Sequence, residues 1–404
     1  MNGWMVRAST FLAIALLGSL VCNYRPSITA FLLGLTVVLA GYQTLRTRRL
    51  PAQTVLLALP FGFWALSFLV TGESWWTFFH PDFQRRDAAF YASMLPIAAL
   101  AVLPLDRTAV KGAILVYFII QSLIAVAGGI SVLGGWTSEI YHQAKVVDDK
   151  LTFFGFYVAH NATASAYALL AIGALVWALN KEVSPRFRIL LVSLAVLLTL
   201  GMVLSRSRGV FLAFLAGAGL VTFRAMRGGV SRRVLTGAVA GLAVAVLAGG
   251  ILLFPRFVKM ADPGADTFRK NVWQRAWDDF GRSPLIGVGF GRFNDADREF
   301  TSVGIGQVVR KARAVNSDYH AHNSYLHWMA EGGIVGLIVM IAYWWLAARR
   351  LDSTDPLLRD WVVAGIVAMA VMGLTEHYAG GGVFLMHLAF LIGLNESGKI
   401  ERTE

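Results

Sequence analysis

The chain has 404 residues, 56% of them hydrophobic and only 15% charged, a balance too apolar for a water-soluble domain of this length. Composition therefore excludes a soluble enzyme and points to an integral membrane protein. The formal net charge of +12 invites a nucleic-acid reading, but basic residues beside apolar spans set topology instead, and no nucleic-acid partner is expected.

A spanning helix takes about 20 mostly apolar residues. Twelve candidate stretches follow one another, at about 8–22, 26–42, 51–70, 87–105, 109–133, 154–180, 189–205, 208–224, 234–254, 323–347, 360–375 and 381–395. The expected fold is all-α: one polytopic membrane domain over 1–404, with a single large loop at about 255–322 between spans nine and ten. The first stretch has signal-peptide features, with Arg7 ahead of an apolar core. A second span beginning at Pro26 and the lack of a small-x-small cleavage pattern favour a retained helix. Cys22 is the only cysteine, which excludes an internal disulfide. With the N-terminus inside, cytoplasmic segments hold 18 Lys and Arg against 7 in the short outer loops, so both termini are expected in the cytoplasm. The other 11 of the 36 basic residues fall in the large loop, which this count places outside. Long translocated segments are largely exempt from the positive-inside rule, so their excess calls for an anionic ligand.

At the outer junction of spans seven and eight, "LSRSRGVFLAF" carries Arg206 and Arg208. A lone arginine there would snorkel to the interface. Two on the side of the basic loop favour phosphate, whose oxygens a guanidinium fork matches bidentately without ever losing its charge. Within the loop, "DTFRKNVWQRAWDDF" sets Phe268, Val272, Trp273, Ala276, Trp277 and Phe280 at helical spacing. It predicts an amphipathic helix against the membrane face or over the bundle, whose Arg269, Lys270 and Arg275 can join the phosphate site. The alternating Gly287, Gly289 and Gly291 follow no strand and precede no Lys-Ser/Thr, so a packed turn is expected and not a nucleotide loop. Asp295-x-Asp297 has the form of a divalent-metal pair, but Arg292 and Arg298 flank and neutralise it. No metal site is expected.

The tenth span opens on "SDYHAHNSYLHWMAEGGIVG". Asn323 or Ser324 can cap the helix, which places His322 at its positive end, where the dipole disfavours imidazolium. A neutral imidazole is what a general base requires. Spacing alone leaves this reading open beside a second, an interfacial histidine with a satisfied hydrogen bond. His320-x-His322 lacks a nearby third ligand of matching type. Glu331, a carboxylate inside a span, is costly and is functional or paired; a buried anchor and a direct site role stay equally open. Its neighbours Gly332, Gly333 and Gly336 permit close helix packing. Near the outer end of span eleven, Glu376 and His377 read as an interfacial hydrogen-bonded pair.

Taken in order, these residues resemble the O-antigen ligase family of bacterial lipopolysaccharide assembly, within the wider group of O-antigen ligases and polymerases. The group's His-[Asn/Ser/Gln], nine residues, Gly-x-x-[Gly/Thr/Tyr] pattern is matched by His322, Asn323, Gly333 and Gly336. An Arg-x-x-x-Leu at an outer helix junction is matched by Arg208 and Leu212. An Arg-x-x-x-Trp in the large loop is matched by Arg269 and Trp273, and the turn before the histidine by Pro284 to Gly291. The specific part of the resemblance covers about 205–340.

The resemblance implies transfer of a polysaccharide from undecaprenyl pyrophosphate to a sugar hydroxyl of the lipid A core, at the periplasmic face of the bacterial inner membrane. His322 would be the base, with Arg206, Arg208, Arg269 and Arg275 on the pyrophosphate and Asn323, Glu331 and His320 in support. No cofactor is implied, and the partners are the lipid-linked donor, the lipid A core acceptor and membrane lipids. An O-antigen polymerase or a protein O-oligosaccharyltransferase would share fold and donor and differ in acceptor. A flippase or other transporter of lipid-linked glycan would set its polar residues near mid-membrane, whereas here most lie at one face.

Overall fold

The computed structural model describes residues 3–21, 26–70, 94–135, 144–147, 150–155, 157, 160–237, 239–241, 243–244, 247, 251, 267–290, 293, 321–352, 355–376 and 383–400. The described chain is built almost entirely of helices. They are α1 (Gly3–Ser19), α2 (Pro26–Thr47), α3 (Ala52–Leu56), α4 (Ala58–Val70), α5 (Arg107–Leu133), α6 (His160–Ala178), α7 (Pro185–Leu204) and α8 (Arg208–Arg227), then α9 (Thr267–Arg282), α10 (Ser324–Arg349), α11 (Pro356–Met372) and α12 (Val383–Ile400). Residues 94–101 and 232–237 are also helical. Six of the described helices (α2, α5, α6, α7, α8 and α10) are long and apolar enough to cross a membrane. The chain is thus a multi-pass membrane protein.

Helix starts follow local chemistry. Asp106 accepts from the Thr108 and Ala109 amides at the head of α5. Ser184 and Asp355 cap α7 and α11, each followed by a proline that cannot donate and so suits the first helical position. α6 is apolar and buried on every side, as befits a central helix; α7, α8, α11 and α12 surround it.

Three features depart from the expected elements. The stretch expected as span three is two helices, α3 and α4, meeting near Leu57. The sixth span starts at His160 and not at 154, because Ala144–Val147 and Lys150–Phe153 pair as an antiparallel hairpin, β1–β2. This small sheet also qualifies the all-α expectation. Phe153 fills the space beside Gly128 on α5, so the hairpin plugs the bundle wall.

Because successive helices alternate in direction, the bundle has two polar ends. At one, Lys111 reaches Asp355 at 2.7 Å, Arg107 donates to the Leu394 and Asn395 carbonyls, and Arg224 meets Asp360 at 2.6 Å. At the other lie the N-termini of α6, α8, α10 and α12 and the end of α11.

Candidate active site

Asn323 is the N-cap of α10: its Oδ1 accepts from the Tyr325 and Leu326 amides, both at 3.0 Å, and its Nδ2 donates to the Leu374 carbonyl. His322 immediately precedes it with φ 47. That left-handed conformation is unfavourable for a side chain with a Cβ and is held only where surroundings impose it. Ala321 behind it is fully buried, and its carbonyl accepts from Trp273 Nε1 on α9 at 2.9 Å. The histidine is therefore pinned from both sides.

His322 Nδ1 lies 3.7 Å from Glu376 Oε2. This is too long for a formed hydrogen bond but is closed by a small ring rotation, as sites without substrate often require. Glu376 is itself fixed: Oε1 accepts from Asn161 Nδ2 at 2.9 Å, and its backbone carbonyl accepts from Ser324 Oγ at 2.9 Å. Asn161 belongs to the first turn of α6. A carboxylate facing Nδ1 favours the tautomer with its proton there and the basic lone pair on Nε2.

α8 enters the same cluster. Gly209 packs directly on Thr375, the neighbour of Glu376, so closely that a Cβ would collide with the threonine hydroxyl. Arg208 opens that helix, and Arg206 precedes it with φ 55. Among the described residues only Arg48, Arg206 and His322 combine a side chain with such a backbone, and two of the three are here. Ser207 is the N-cap of α8, yet its side chain makes no cap bond, and its hydroxyl is buried without a hydrogen-bond partner among the described residues. Amides at a helix start carry partial positive charge and suit an anion.

α9 packs along the first turns of α10. Val272 and Ala276 bury against Phe293, Ala321 and Ala330. Arg269 and Arg275 are both half-buried on it. Trp273 brings Arg269, one turn earlier, to the histidine's flank, whereas Arg275 leaves the helix on another side.

Glu331 is buried with 2% exposure. Its Oε1 accepts from the Phe293 amide at 3.2 Å, and its Oε2 lies 3.3 Å from His327 Nε2. The glycine turn docks here. α10 breaks at Gly333, with φ 62 and ψ −167, and the turn supplies the hydrogen bonds that the break removes. Val288 and Gly289 amides donate to the Ala330 and Glu331 carbonyls, while the Ile334 and Val335 amides donate to Pro284 and Leu285. Gly287, with φ 72, touches the Glu331 backbone where no Cβ would fit. A packed turn is what the glycines build, as Gly287 and Gly289 show. His320, His377, Gly291, Asp295 and Asp297 lie outside the described residues.

Spacing could not reveal Asn161 or His322 as neighbours of Glu376. The signal available was only an asparagine at a predicted helix start and a carboxylate at a predicted helix end, 215 residues apart.

Fold and site together define a multi-pass helical membrane protein whose histidine–carboxylate cluster, flanked by arginines, sits at one end of its bundle. No curated protein matches the chain. Residues 193–341, from within α7 through about two thirds of α10, match the family described as O-antigen ligase. The match implies glycosyl transfer of the ligase or polymerase type. It includes His322 and all four arginines and excludes Asn161 and Glu376.

Proposed function

We propose that the chain is an O-antigen ligase, moving a polysaccharide from undecaprenyl pyrophosphate to a sugar hydroxyl of the lipid A core at the periplasmic face of the inner membrane. The observation that carries this reading is the approach of His322 to Glu376 at 3.7 Å, beside the start of α8. His322 Nε2 takes the proton of the acceptor hydroxyl as its oxygen bonds to the donor's anomeric carbon. The bond from that carbon to the pyrophosphate oxygen breaks, and undecaprenyl pyrophosphate leaves with the negative charge.

The pyrophosphate already activates the sugar, so no nucleotide is needed. Arg206, Arg208 and Arg269 stabilise the departing charge, a task a metal performs elsewhere, and Arg275, on another side of α9, adds only to the positive field of the loop. The Ser207 hydroxyl and the first α8 amides are further donors for it. Glu376 holds the imidazole and stabilises the imidazolium as it forms, in the manner of a triad carboxylate. The remaining candidates are supports: Asn323 caps α10, Glu331 anchors the turn and His320 belongs to the same approach. The large loop, about 255–322, is the periplasmic part of one membrane domain with both termini in the cytoplasm.

The test is a reconstituted assay with purified lipid-linked glycan, offering either lipid A core or a second lipid-linked glycan as acceptor. Transfer to lipid A core supports a ligase. Extension of the second lipid-linked glycan instead would make the chain a polymerase, and no transfer to either would overturn the reading.

A further inference from the structure

The sequence pattern sets α9 against the membrane face or over the bundle, and its connections to α10 give it a depth. Trp273 is bound to Ala321, just before α10 begins, while Pro284 and Leu285 are bound through their carbonyls to the Ile334 and Val335 amides. The two helices therefore run in the same direction, and the end of α9 descends beside α10. At about 1.5 Å per residue the 26 residues of α10 are about 39 Å long, roughly 9 Å more than a hydrocarbon core of about 30 Å. Even if all of that excess projects beyond the Asn323 end, Ile334 lies about 6 Å inside the hydrocarbon. Leu285, hydrogen-bonded to the next residue, lies there too.

What surrounds Leu285 agrees with that depth. It is 68% exposed, and α10 beside it shows an exposed apolar stripe of Ile334, Val335, Ile338, Ile341 and Trp345. Irregular backbone at membrane depth is tolerated only where it is packed against protein, as the buried Gly287 and Gly289 are, so that its polar groups are paired. Gly287, Val288 and Gly289 meet that condition through Ser283, Ala330 and Glu331, as do the amides freed by the break at Gly333. Around α9, at about 100° per residue, the surface divides. Phe280, Trp273, Trp277 and Gly281 form an apolar arc, which the exposed Lys270 joins near the start of the helix, where its ammonium is at headgroup level; Gln274, Asp278 and Arg282 form a polar arc with a Gln274–Asp278 contact, and Arg282 also meets Asp279. Trp277 is 50% exposed and rests edge-to-face on Phe280. A half-exposed tryptophan above an exposed leucine is the order in which a bilayer places them, aromatic at the headgroups and aliphatic below.

We propose that the apolar arc of α9 and the following turn at Leu285 form a membrane-seated surface, contacting lipid acyl chains and headgroups in continuity with the exposed face of α10. This inference does not depend on the reaction. Its test uses the full-length protein with Cys22 replaced by serine, reconstituted in phospholipid vesicles, and a nitroxide label on a single cysteine at Leu285, Trp277 or Asp278. Collisions with oxygen, which concentrates in hydrocarbon, are compared with collisions with a water-soluble nickel complex. Oxygen should dominate at 285, less strongly at 277, with nickel dominant at 278. Nickel dominance at 285 would place the turn in water, and shielding from both reagents would mean protein covers it; either result overturns the proposal. If the 285 variant does not fold, the same reversal between 277 and 278 decides, because neighbours in water would show no such contrast.

Discussion

At one end of the bundle Asp355 caps α11 and lies 2.7 Å from Lys111, with Arg107 beside it bonded to the end of α12. At the other, Glu376 holds Asn161 at 2.9 Å but lies 3.7 Å from the His322 imidazole. Both ends join several helices through a carboxylate and basic side chains. The first is the more closed: Asp355 has Lys111 at 2.7 Å, Arg107 binds the end of α12, and the Asp355 side chain caps α11. The second keeps a strained histidine, a strained arginine and a buried serine hydroxyl that caps nothing. Two side-chain-bearing residues with left-handed backbone gathered at one carboxylate are the kind of strain that collects at functional sites.

The comparison can be broken first at His322. His322→Ala should lower turnover by on the order of 10² to 10⁴, the usual share of a general base, with donor binding largely kept. His327→Ala should act less on chemistry, because His327 faces Glu331 and Phe293. Arg208→Ala and Arg269→Ala come next. Each removes a charge-assisted contact of about 1.5 to 3 kcal/mol, so the donor KM should rise by roughly tenfold to a hundredfold, with lysine rescuing only in part because the fork is lost. An unchanged donor KM would remove that arginine from the site.

Glu376→Gln sharpens the comparison more finely. It keeps the acceptor for Asn161 but withdraws the charge that favours imidazolium. Wild-type rates should fall as pH drops far enough to protonate the imidazole, since the base works only when neutral. Without the carboxylate, protonation becomes harder, so this acid limb should move to lower pH while the plateau drops severalfold. A pH–rate profile with an unmoved limb would separate Glu376 from His322. The smallest effect is expected at Glu331. Glu331→Gln retains an acceptor for the Phe293 amide and should be nearly silent, while Glu331→Leu strands that buried amide at a cost of about 1 to 3 kcal/mol. Melting temperature and donor KM should then change together, and an unmoved melting temperature would mean that the carboxylate does not anchor the turn.

Much of this was legible in the chain. Residue spacing located α9, and the pairing of Asn323 with a following apolar run located the start of α10, because caps and amphipathic faces are local. The β1–β2 hairpin was not legible, since Ala144–Val147 is four residues without clear alternation. Nor was the break in α10: Gly332-Gly333 permits one, but the break persists because a turn some fifty residues earlier pairs the freed amides. The site divided in the same way. His322 and the arginines carry sequence patterns of their own, whereas Asn161 acquires a role only when α6 is packed against the end of α11.

The central claim, that one end of the bundle performs chemistry and the other holds the helices together, is tested most directly by a crossed measurement on two variants. Turnover per folded molecule and melting temperature would be measured for His322→Ala and for Asp355→Asn. The account predicts that His322→Ala loses turnover and keeps its melting temperature. Asp355→Asn should lose stability on the order of 3 kcal/mol, as a buried pair losing one partner does, while its folded molecules turn over normally. If Asp355→Asn abolished turnover in folded protein, or His322→Ala transferred glycan at near the wild-type rate, the distinction between the two ends would be contradicted.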